Sequence, residues 1–519
     1  MMTARAKYRL LESIPGALVW ITLILSVLLS FLAPVYVIYF IILFDLYWLF
    51  KVVYFIINLT VSWKNYKRDN AVNWGAKAAA LPGVEKIFHL ILLPTYKEDT
   101  GIIRATLKSI VENNFPKEKM IIALSGEERG GKEEFLARAA ELTDEFGAKF
   151  YKFLTIVHPQ DLPDEIPGKG SNDAYAAAAA RKFIDERGIP YEDIVVSTFD
   201  VDTLVSPQYF SYLTYKYLTV PNPTRASYQP IPLYGNNIWQ SPSVVRIAAF
   251  GTTFWLMMEL VRPEYLFTFS SHSMPFKALV DVGYWQKNIV SEDSRIFLQC
   301  LMHYNGDYRV VPMYVGVSMN TVAIDKYWRS LKNLYKQQRR WAWGVENFPY
   351  LVTEFAKRPL ISLWKKFVFI WKQLEGMYSW ATAPLVIFIL GRLPFYVASE
   401  ASKKVLIVQT APFLLEYIMT ASMAGIFVSA MISFFFLPPR PPGHGPMAIV
   451  GMVLQWILLP VSLIIFGSIP AADAQTRLML GKYLGFWVTE KKESTNKASP
   501  ADGTSHIQFT SATAVDKKM

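Results

Sequence analysis

The stretch Ile194-Val195-Val196-Ser197-Thr198-Phe199-Asp200-Val201-Asp202 decides how the middle of this chain folds. β-Branched and aromatic residues dominate its first part, which is typical of a buried strand. Two aspartates follow at once. Carboxylates one residue apart at a strand end can bind a hard divalent cation that keeps positions open for phosphate oxygens. Asp-x-Asp alone is also common in surface turns, so its surroundings must decide.

Strand and helix patterns alternate around this stretch, from about residue 80 to residue 347. Apolar runs predict strands at 87–93, 120–124, 150–157 and 194–199. Amphipathic or alanine-rich runs predict helices after residue 99, at 133–146 and at 173–187. This alternation predicts an α/β domain with a mainly parallel sheet covered by helices. Ligands of such sheets gather at the carboxyl ends of the strands, which here are residues 94–98, 125–128 and 200–203.

Long apolar runs flank this block. No charged residue lies between Ser13 and Phe44, and a helix of about 20 apolar residues crosses a bilayer. We therefore predict spans at 15–33 and 35–61. Basic residues precede and follow this hairpin, which places both ends in the cytoplasm by the positive-inside rule. Further runs predict spans at 378–390, 405–437 and 447–469, of which the second is long enough to bend or to re-enter the membrane.

Composition restricts the class of protein. The 519 residues are 52% hydrophobic and only 18% charged, whereas soluble domains carry about 25% charged residues. An ordinary cytosolic enzyme is therefore not expected. The single Cys300 excludes an intramolecular disulfide scaffold. The formal charge of +11 would suit nucleic acid, an anionic membrane or a phosphate-bearing substrate. Because the basic residues cluster at the membrane boundaries, we expect no nucleic-acid partner.

Two more motifs follow the aspartates. Ser291-Glu292-Asp293-Ser294 precedes an apolar helical pattern. Ser291 could simply cap that helix, with acidic residues at its start, or a carboxylate could act as general base opposite a donor sugar. Gln337-Gln338-Arg339-Arg340-Trp341 lies in a segment rich in Lys, Arg, Tyr and Trp. It could lie at the anionic inner leaflet, or supply an Arg clamp for diphosphate and a Trp face for a sugar.

The order of these three motifs, in an α/β block between membrane spans, resembles the membrane-integrated family 2 glycosyltransferases, the group that contains cellulose and hyaluronan synthases. Residues 94–98 are similar to their first-strand nucleotide-binding segment, and Asp200-Val201-Asp202 to their metal-binding D-x-D. Glu292-Asp293 matches the end of their T-E-D, and residues 337–341 match their Q-x-x-R-W. Residues 486–491 also resemble the F-x-V-T-x-K segment that follows the last span of the cellulose synthases.

The resemblance implies a GT-A-like glycosyltransferase domain inserted between α-helical transmembrane segments, with a nucleotide-sugar donor that we predict to be a UDP-sugar. Thr95, Tyr96 and Glu98 would line the nucleotide pocket. Relatives place one or two aspartates after the second strand, where this chain has Glu127 and Glu128. Either Glu127 or Glu128 replaces that aspartate with a longer reach, with Glu127 as the predicted contact, or the two glutamates are solvated charge.

The same resemblance implies the roles of the remaining site residues. They are Asp200 and Asp202 as ligands of Mg²⁺ or Mn²⁺, Lys169 as a phosphate contact, Asp293 as the base that takes the acceptor's proton, Arg340 as charge stabilisation, and Gln337 with Trp341 as the acceptor seat. The predicted boundaries are 1–65 for the N-terminal segment with two spans, 66–347 for the cytoplasmic GT-A-like domain, 348–375 for an amphipathic interface segment, 376–470 for the C-terminal spans, and 471–519 for a juxtamembrane segment and a disordered tail.

The Q-x-x-R-W motif and the flanking spans favour a processive enzyme that extends a polysaccharide and feeds it through its own membrane channel. We expect it in the plasma (cell inner) membrane, with the catalytic domain cytoplasmic. Its partners would be the nucleotide-sugar, a glycan or lipid-linked acceptor, and membrane lipid. One alternative transfers a single sugar to a lipid carrier. A rival from another class is a non-catalytic membrane subunit or transporter that only binds nucleotide-sugar.

Overall fold

The computed structural model describes residues 3–443, 445 and 447–485. The segment at 486–491 that resembles F-x-V-T-x-K, and the tail that we predict to be disordered, lie outside the described residues.

The α/β block contains one large sheet. Its strands are β1 (Phe88–Thr95), β2 (Met120–Glu127), β3 (Lys152–His158), β4 (Ile194–Thr198), β5 (Leu204–Val205), β6 (Ala226–Leu233), β7 (Ser273–Pro275) and β8 (Arg309–Ser318). They lie in the order β3-β2-β1-β4-β7-β6-β8-β5. The short β5 and β7 pair antiparallel with their neighbours, and the other pairs are parallel. The prediction of a mainly parallel sheet is confirmed.

Helices cover both faces of this sheet. They are Trp74–Ala79, Thr100–Val111, Lys132–Phe146, Lys169–Glu186, Tyr209–Thr219, Ser243–Leu260, Phe276–Asp281, Glu292–His303 and Tyr327–Ala342. Successive side chains of a strand point to opposite faces. In β1, Leu90 and Leu92 accordingly join one hydrophobic cluster, and Ile91 and Leu93 join the other.

One helix begins earlier than its sequence pattern predicts. The helix that we predict at 173–187 starts at Lys169, so the predicted phosphate contact lies in the first turn of a helix. The side chain of Lys169 therefore projects from the amino end of this helix, close to the carboxyl end of β4.

Five described helices are long and apolar enough to cross a membrane: Ala4–Leu32, Pro34–Asn70, Ser243–Leu260, Leu406–Phe435 and Met447–Met479. The last comprises the α-helical segments Met447–Leu454, Leu459–Leu463 and Ile469–Met479. A 3₁₀ turn joins the first two segments, and a π-helical turn joins the last two. Leu363–Phe388 and Leu390–Val397, bent by 44°, would make a sixth span. The apolar run at 405–437 thus forms one helix, and the bend lies after Phe388 instead.

Several elements join the α/β domain to the apolar helices, among them Ser243–Leu260 and Leu363–Phe388. Ser243–Leu260 packs on β6 and on Pro34–Asn70, and 56% of this helix is buried inside the protein. Leu363–Phe388 is continuous across residue 375, so the predicted interface segment and the first C-terminal span share one helix. The remaining helices, Asn347–Ala356, Leu393–Val397 and Glu400–Lys403, are short connections.

Candidate active site

Lys169 lies among three carboxylates at the carboxyl edge of the sheet. Its Nζ donates a hydrogen bond to Asp293 Oδ1 at 2.8 Å. It lies 3.7 Å from Asp200 Oδ1 and 3.9 Å from Asp173 Oδ2. Burial alone would lower the pKa of this ammonium group, but the neighbouring carboxylates, Asp293 first, raise it above its usual value. The fold thus brings the D-x-D and E-D segments together around one cation.

The two aspartates of D-x-D have fixed orientations. The Ser270 hydroxyl donates to Asp200 Oδ2 at 2.9 Å, and the Asn320 N–H donates to Asp202 Oδ2 at 3.1 Å. Asp202 is buried, whereas the Asp200 side chain is 30% exposed. Elsewhere in the described ranges, as here, no three His, Cys, Asp or Glu side chains are grouped to hold a metal ion. Two hard carboxylate donors fit Mg²⁺ or Mn²⁺ bound jointly with phosphate oxygens and water.

Glu292 packs against the first turn of the Lys169 helix. A Cβ atom at Gly170 would lie 2.7 Å from Glu292 Cβ, so only glycine permits this approach. Glu292 is 3% exposed. Burial, followed by the charge of Asp293, raises its pKa to about 8, which favours the protonated form. The neighbouring Asp293, ion-paired with Lys169, is the candidate base.

Ser291 does not cap its helix through its side chain. It occupies the N-cap position of Glu292–His303 without a side-chain capping bond. Its hydroxyl donates instead to Glu346 Oε1 at 2.6 Å. The capping interpretation of this motif is therefore wrong for Ser291, whose hydroxyl connects two segments that are distant in the chain.

The turn after β1 is held by Glu98. Its Oε2 accepts the Thr95 hydroxyl at 2.8 Å and the Tyr96 N–H at 2.7 Å. The Arg129 guanidinium lies 4.3 Å from the centre of the Tyr96 ring and pairs with Glu127. Glu127 is 5% exposed, so it belongs to the buried group beside Tyr96 rather than to the solvated surface.

Glu128 makes different contacts. Its carboxylate accepts the Gln160 N–H at 3.2 Å and lies 3.6 Å from Lys132 Nζ, at the surface. Of the two glutamates that stand where relatives have aspartate, only Glu127 therefore contacts the group around Tyr96.

The Q-x-x-R-W motif lies on helix Tyr327–Ala342. Gln337 and Trp341 line a cavity of about 10 Å³, room for about one water molecule, with Tyr234, whose ring centre is 6.3 Å from that of Trp341. Arg340 interacts electrostatically with Glu292 and Tyr234. The motif therefore borders the acidic cluster.

The same helix also contacts the apolar helices. Arg339 Nη1 donates to Asp473 Oδ2 at 2.9 Å, on helix Ile469–Met479. The helix of the Q-x-x-R-W motif thus lies between the acidic cluster and the candidate membrane spans.

Sequence patterns missed several residues of this cluster. Asp173 is buried and accepts the Thr198 hydroxyl at 2.6 Å. His272 Nδ1 lies 3.0 Å from the Phe269 carbonyl oxygen and 3.9 Å from Asp293 Oδ1, and burial lowers its pKa to about 4. Asp173 could have been found, because it lies four residues after Lys169 and so on the same helix face. No local spacing marks His272.

Comparisons with known proteins give one family match and several similar solved structures. The model of a family described as glycosyl transferase family group 2 matches residues 195–468. Mannosyltransferase PcManGT from Pyrobaculum calidifontis, solved with GDP-Man and Mn²⁺, is 11% identical with a TM-score of 0.41, over 72% of this chain and 99% of that one. TarS 1–349 of S. aureus with UDP-GlcNAc is 12% identical with a TM-score of 0.35, over 68% and 93%. No curated protein matches the chain. The family match spans more than half of the chain and includes its D-x-D, E-D and Q-x-x-R-W segments, so the protein belongs to the family 2 glycosyltransferases and is an enzyme with a GT-A-like domain.

Proposed function

We propose that this enzyme is an inverting, membrane-bound glycosyltransferase that transfers a sugar from a UDP-sugar to a growing polysaccharide and passes the product across the membrane. The observation that carries the proposal is the Lys169 cluster. Its ammonium group lies within 4 Å of both Asp293 and Asp200, so a candidate base and a candidate metal ligand meet at one edge of the sheet.

The donor side of the reaction is assigned to this edge. Thr95, Tyr96, Glu98 and Glu127 would contact the nucleoside. Asp200 and Asp202 would hold Mg²⁺ or Mn²⁺, which when bound neutralises charge on the diphosphate leaving group. Lys169 and Arg340 place two further positive charges beside these carboxylates, where a diphosphate would be stabilised.

Asp293 would take the proton from the acceptor hydroxyl. As that oxygen forms its bond to the anomeric carbon, the bond from this carbon to the diphosphate breaks on the opposite side, so the configuration inverts. Lys169 holds the Asp293 carboxylate in one orientation, and the Thr268 hydroxyl donates to the Asp293 carbonyl oxygen at 2.6 Å. Both contacts keep the base ordered before the acceptor arrives.

The acceptor would bind on the Q-x-x-R-W side. The rings of Tyr234 and Trp341, whose centres lie 6.3 Å apart, offer aromatic faces for a sugar beside the acidic cluster. The position of the Trp341 helix between the acidic cluster and the apolar helices supports extension and membrane passage of a glycan over transfer of one sugar to a lipid carrier. The protein would lie in the plasma (cell inner) membrane, and its cytoplasmic domain would comprise residues 66–347.

The test is nucleotide release by the purified protein in lipid vesicles, with a panel of UDP-sugars, Mg²⁺ or Mn²⁺, and gel analysis of the product. GDP-mannose serves as the comparison donor without uridine. UDP release with one sugar, together with a large product that a glycosidase digests, supports the proposal. A small lipid-extractable product would establish the lipid-carrier alternative. Turnover with GDP-mannose alone would overturn the uridine assignment.

A further inference from the structure

One carboxylate, that of Glu346, accepts hydrogen bonds from residues next to two motifs, Glu292-Asp293 and Q-x-x-R-W. Its Oε1 accepts the Val290 N–H at 3.2 Å, the Ser291 N–H at 3.0 Å and the Ser291 hydroxyl at 2.6 Å. Its Oε2 accepts Trp343 Nε1–H at 2.9 Å. Ser291 directly precedes Glu292-Asp293, and Trp343 follows the Q-x-x-R-W motif by two residues.

The next residue continues this connection. Asn347 Oδ1 accepts Arg295 Nε–H at 2.7 Å, and Asn347 Nδ2 donates to Ser294 Oγ at 2.9 Å. Arg295 also donates to the Glu346 carbonyl oxygen at 3.3 Å. Arg295 and Asn347 are both buried. The amino end of helix Glu292–His303 is thus attached to residues 346 and 347 by side chains that are satisfied within the protein.

The other end of the connection is fixed by apolar packing. Trp343 is 1% exposed and packs in one cluster with Val19, Ala381 and Ala474. These residues lie on helices Ala4–Leu32, Leu363–Phe388 and Ile469–Met479. The candidate membrane helices therefore set the position of Trp343, and Glu346 relates that position to Ser291.

We propose that Glu346 is a positioning residue, which sets Asp293 at the correct distance from the acceptor held near Trp341. This inference rests on the proposed function, in which Asp293 is the base. All four groups that contact Glu346 are donors, so only an acceptor at both oxygens satisfies them. A glutamine would turn its NH₂ group, which cannot accept a hydrogen bond, toward either Trp343 or the segment before Asp293. The hydrogen bonds on that side would be lost.

The test is Glu346→Gln in the lipid-reconstituted enzyme, with its preferred nucleotide-sugar as donor. A lost hydrogen bond to a charged group corresponds to a decrease of about 10- to 100-fold in kcat. The donor KM should change by less than about twofold, because the nucleotide contacts are untouched. Ser291→Ala, which removes one hydroxyl and little volume, should lower kcat in the same direction. The double variant should lose less than the two single losses combined, because both act through one hydrogen bond.

Glu141→Gln is the matched control, since Glu141 pairs with Arg104 at the exposed surface and should keep the wild-type kcat. Wild-type kcat in Glu346→Gln would overturn the inference, as would an increase in donor KM that accounts for the whole loss. If Glu346→Gln fails to fold, unchanged kcat in Ser291→Ala overturns it. A wild-type protein without turnover would contradict the proposed function instead.

Discussion

Gly170→Ala should change the geometry of the site, and so kcat, more than it changes the free energy of unfolding. The added Cβ would lie 2.7 Å from Glu292 Cβ and 2.9 Å from its Cγ. Carbon atoms pack at about 3.5–4.0 Å, so the Lys169 helix and the Glu292-Asp293 segment must separate by about 1 Å. Both contacted atoms are close to the backbone, and rotation of the Glu292 side chain cannot move Cβ away.

The expected losses in rate and stability differ. A displacement of about 1 Å at reacting groups costs about 100-fold in rate, and here it also lengthens the Lys169–Asp293 contact of 2.8 Å. We therefore expect kcat to fall about 100-fold. Overpacking costs about 1–3 kcal/mol, and alanine offsets up to about 1 kcal/mol of this by its higher helix propensity. The free energy of unfolding should thus fall by about 0–3 kcal/mol.

The assay is nucleotide release at saturating donor by the reconstituted protein, with thermal unfolding measured in parallel. Gly251→Ala is the matched control, because Gly251 is also helical and no atom lies within 4 Å of its added Cβ. It should retain the wild-type kcat. Wild-type kcat in Gly170→Ala would refute the reasoning, and so would an equal loss of kcat in the Gly251→Ala control.

Two further substitutions test the surroundings of the cluster. Burial and the neighbouring Asp293 raise the pKa of Glu292 to about 8 in the folded protein, from an ordinary value of 4.5. Between these pH values the unfolded chain has released a proton that the folded protein retains, so stability falls as pH rises. Thermal unfolding of Glu292→Gln would be followed from pH 5 to pH 8, a window of about three pH units. Stability of this variant should fall less with rising pH than that of wild type, and an equal fall would contradict the assigned pKa. Asp473→Asn removes the ion pair with Arg339, which lies on the same helix as the proposed acceptor seat at Trp341. Acceptor binding should weaken, so gels should show shorter products at an unchanged donor KM. Products of wild-type length would show that this ion pair does not affect acceptor binding.

Four of the eight described strands, β1 to β4, could be predicted from the sequence. Strands β1, β2 and β4 are buried runs rich in Ile, Leu and Val, and such runs with turn residues at their ends indicate strands. Of the other four strands, β8 is a buried run rich in Val, but Pro312 interrupts it. β6 contains Pro230 and Pro232, which argue against a strand, and the β6–β8 register shifts between Gln229 and Ile231. β7 has only three residues.

The site shows a similar division. Asp200 and Asp293 could be predicted because each stands in a short motif, and the carboxyl edge of a parallel sheet brings such loops together. Their supporting residues could not. Glu346, Ser270 and His272 contact the motifs across tens of residues of chain, and no local spacing encodes a contact that forms only when the sheet and the apolar helices pack.

The most direct measurement compares wild-type protein with Asp293→Asn in lipid vesicles, for nucleotide release and for binding of the nucleotide-sugar. The amide has nearly the shape of the carboxylate but cannot take the acceptor's proton. We expect nucleotide-sugar binding within a few-fold of wild type and a kcat lower by about 10²- to 10⁴-fold. Turnover at the wild-type rate would remove Asp293 from the role of base and contradict the mechanism built on the Lys169 cluster.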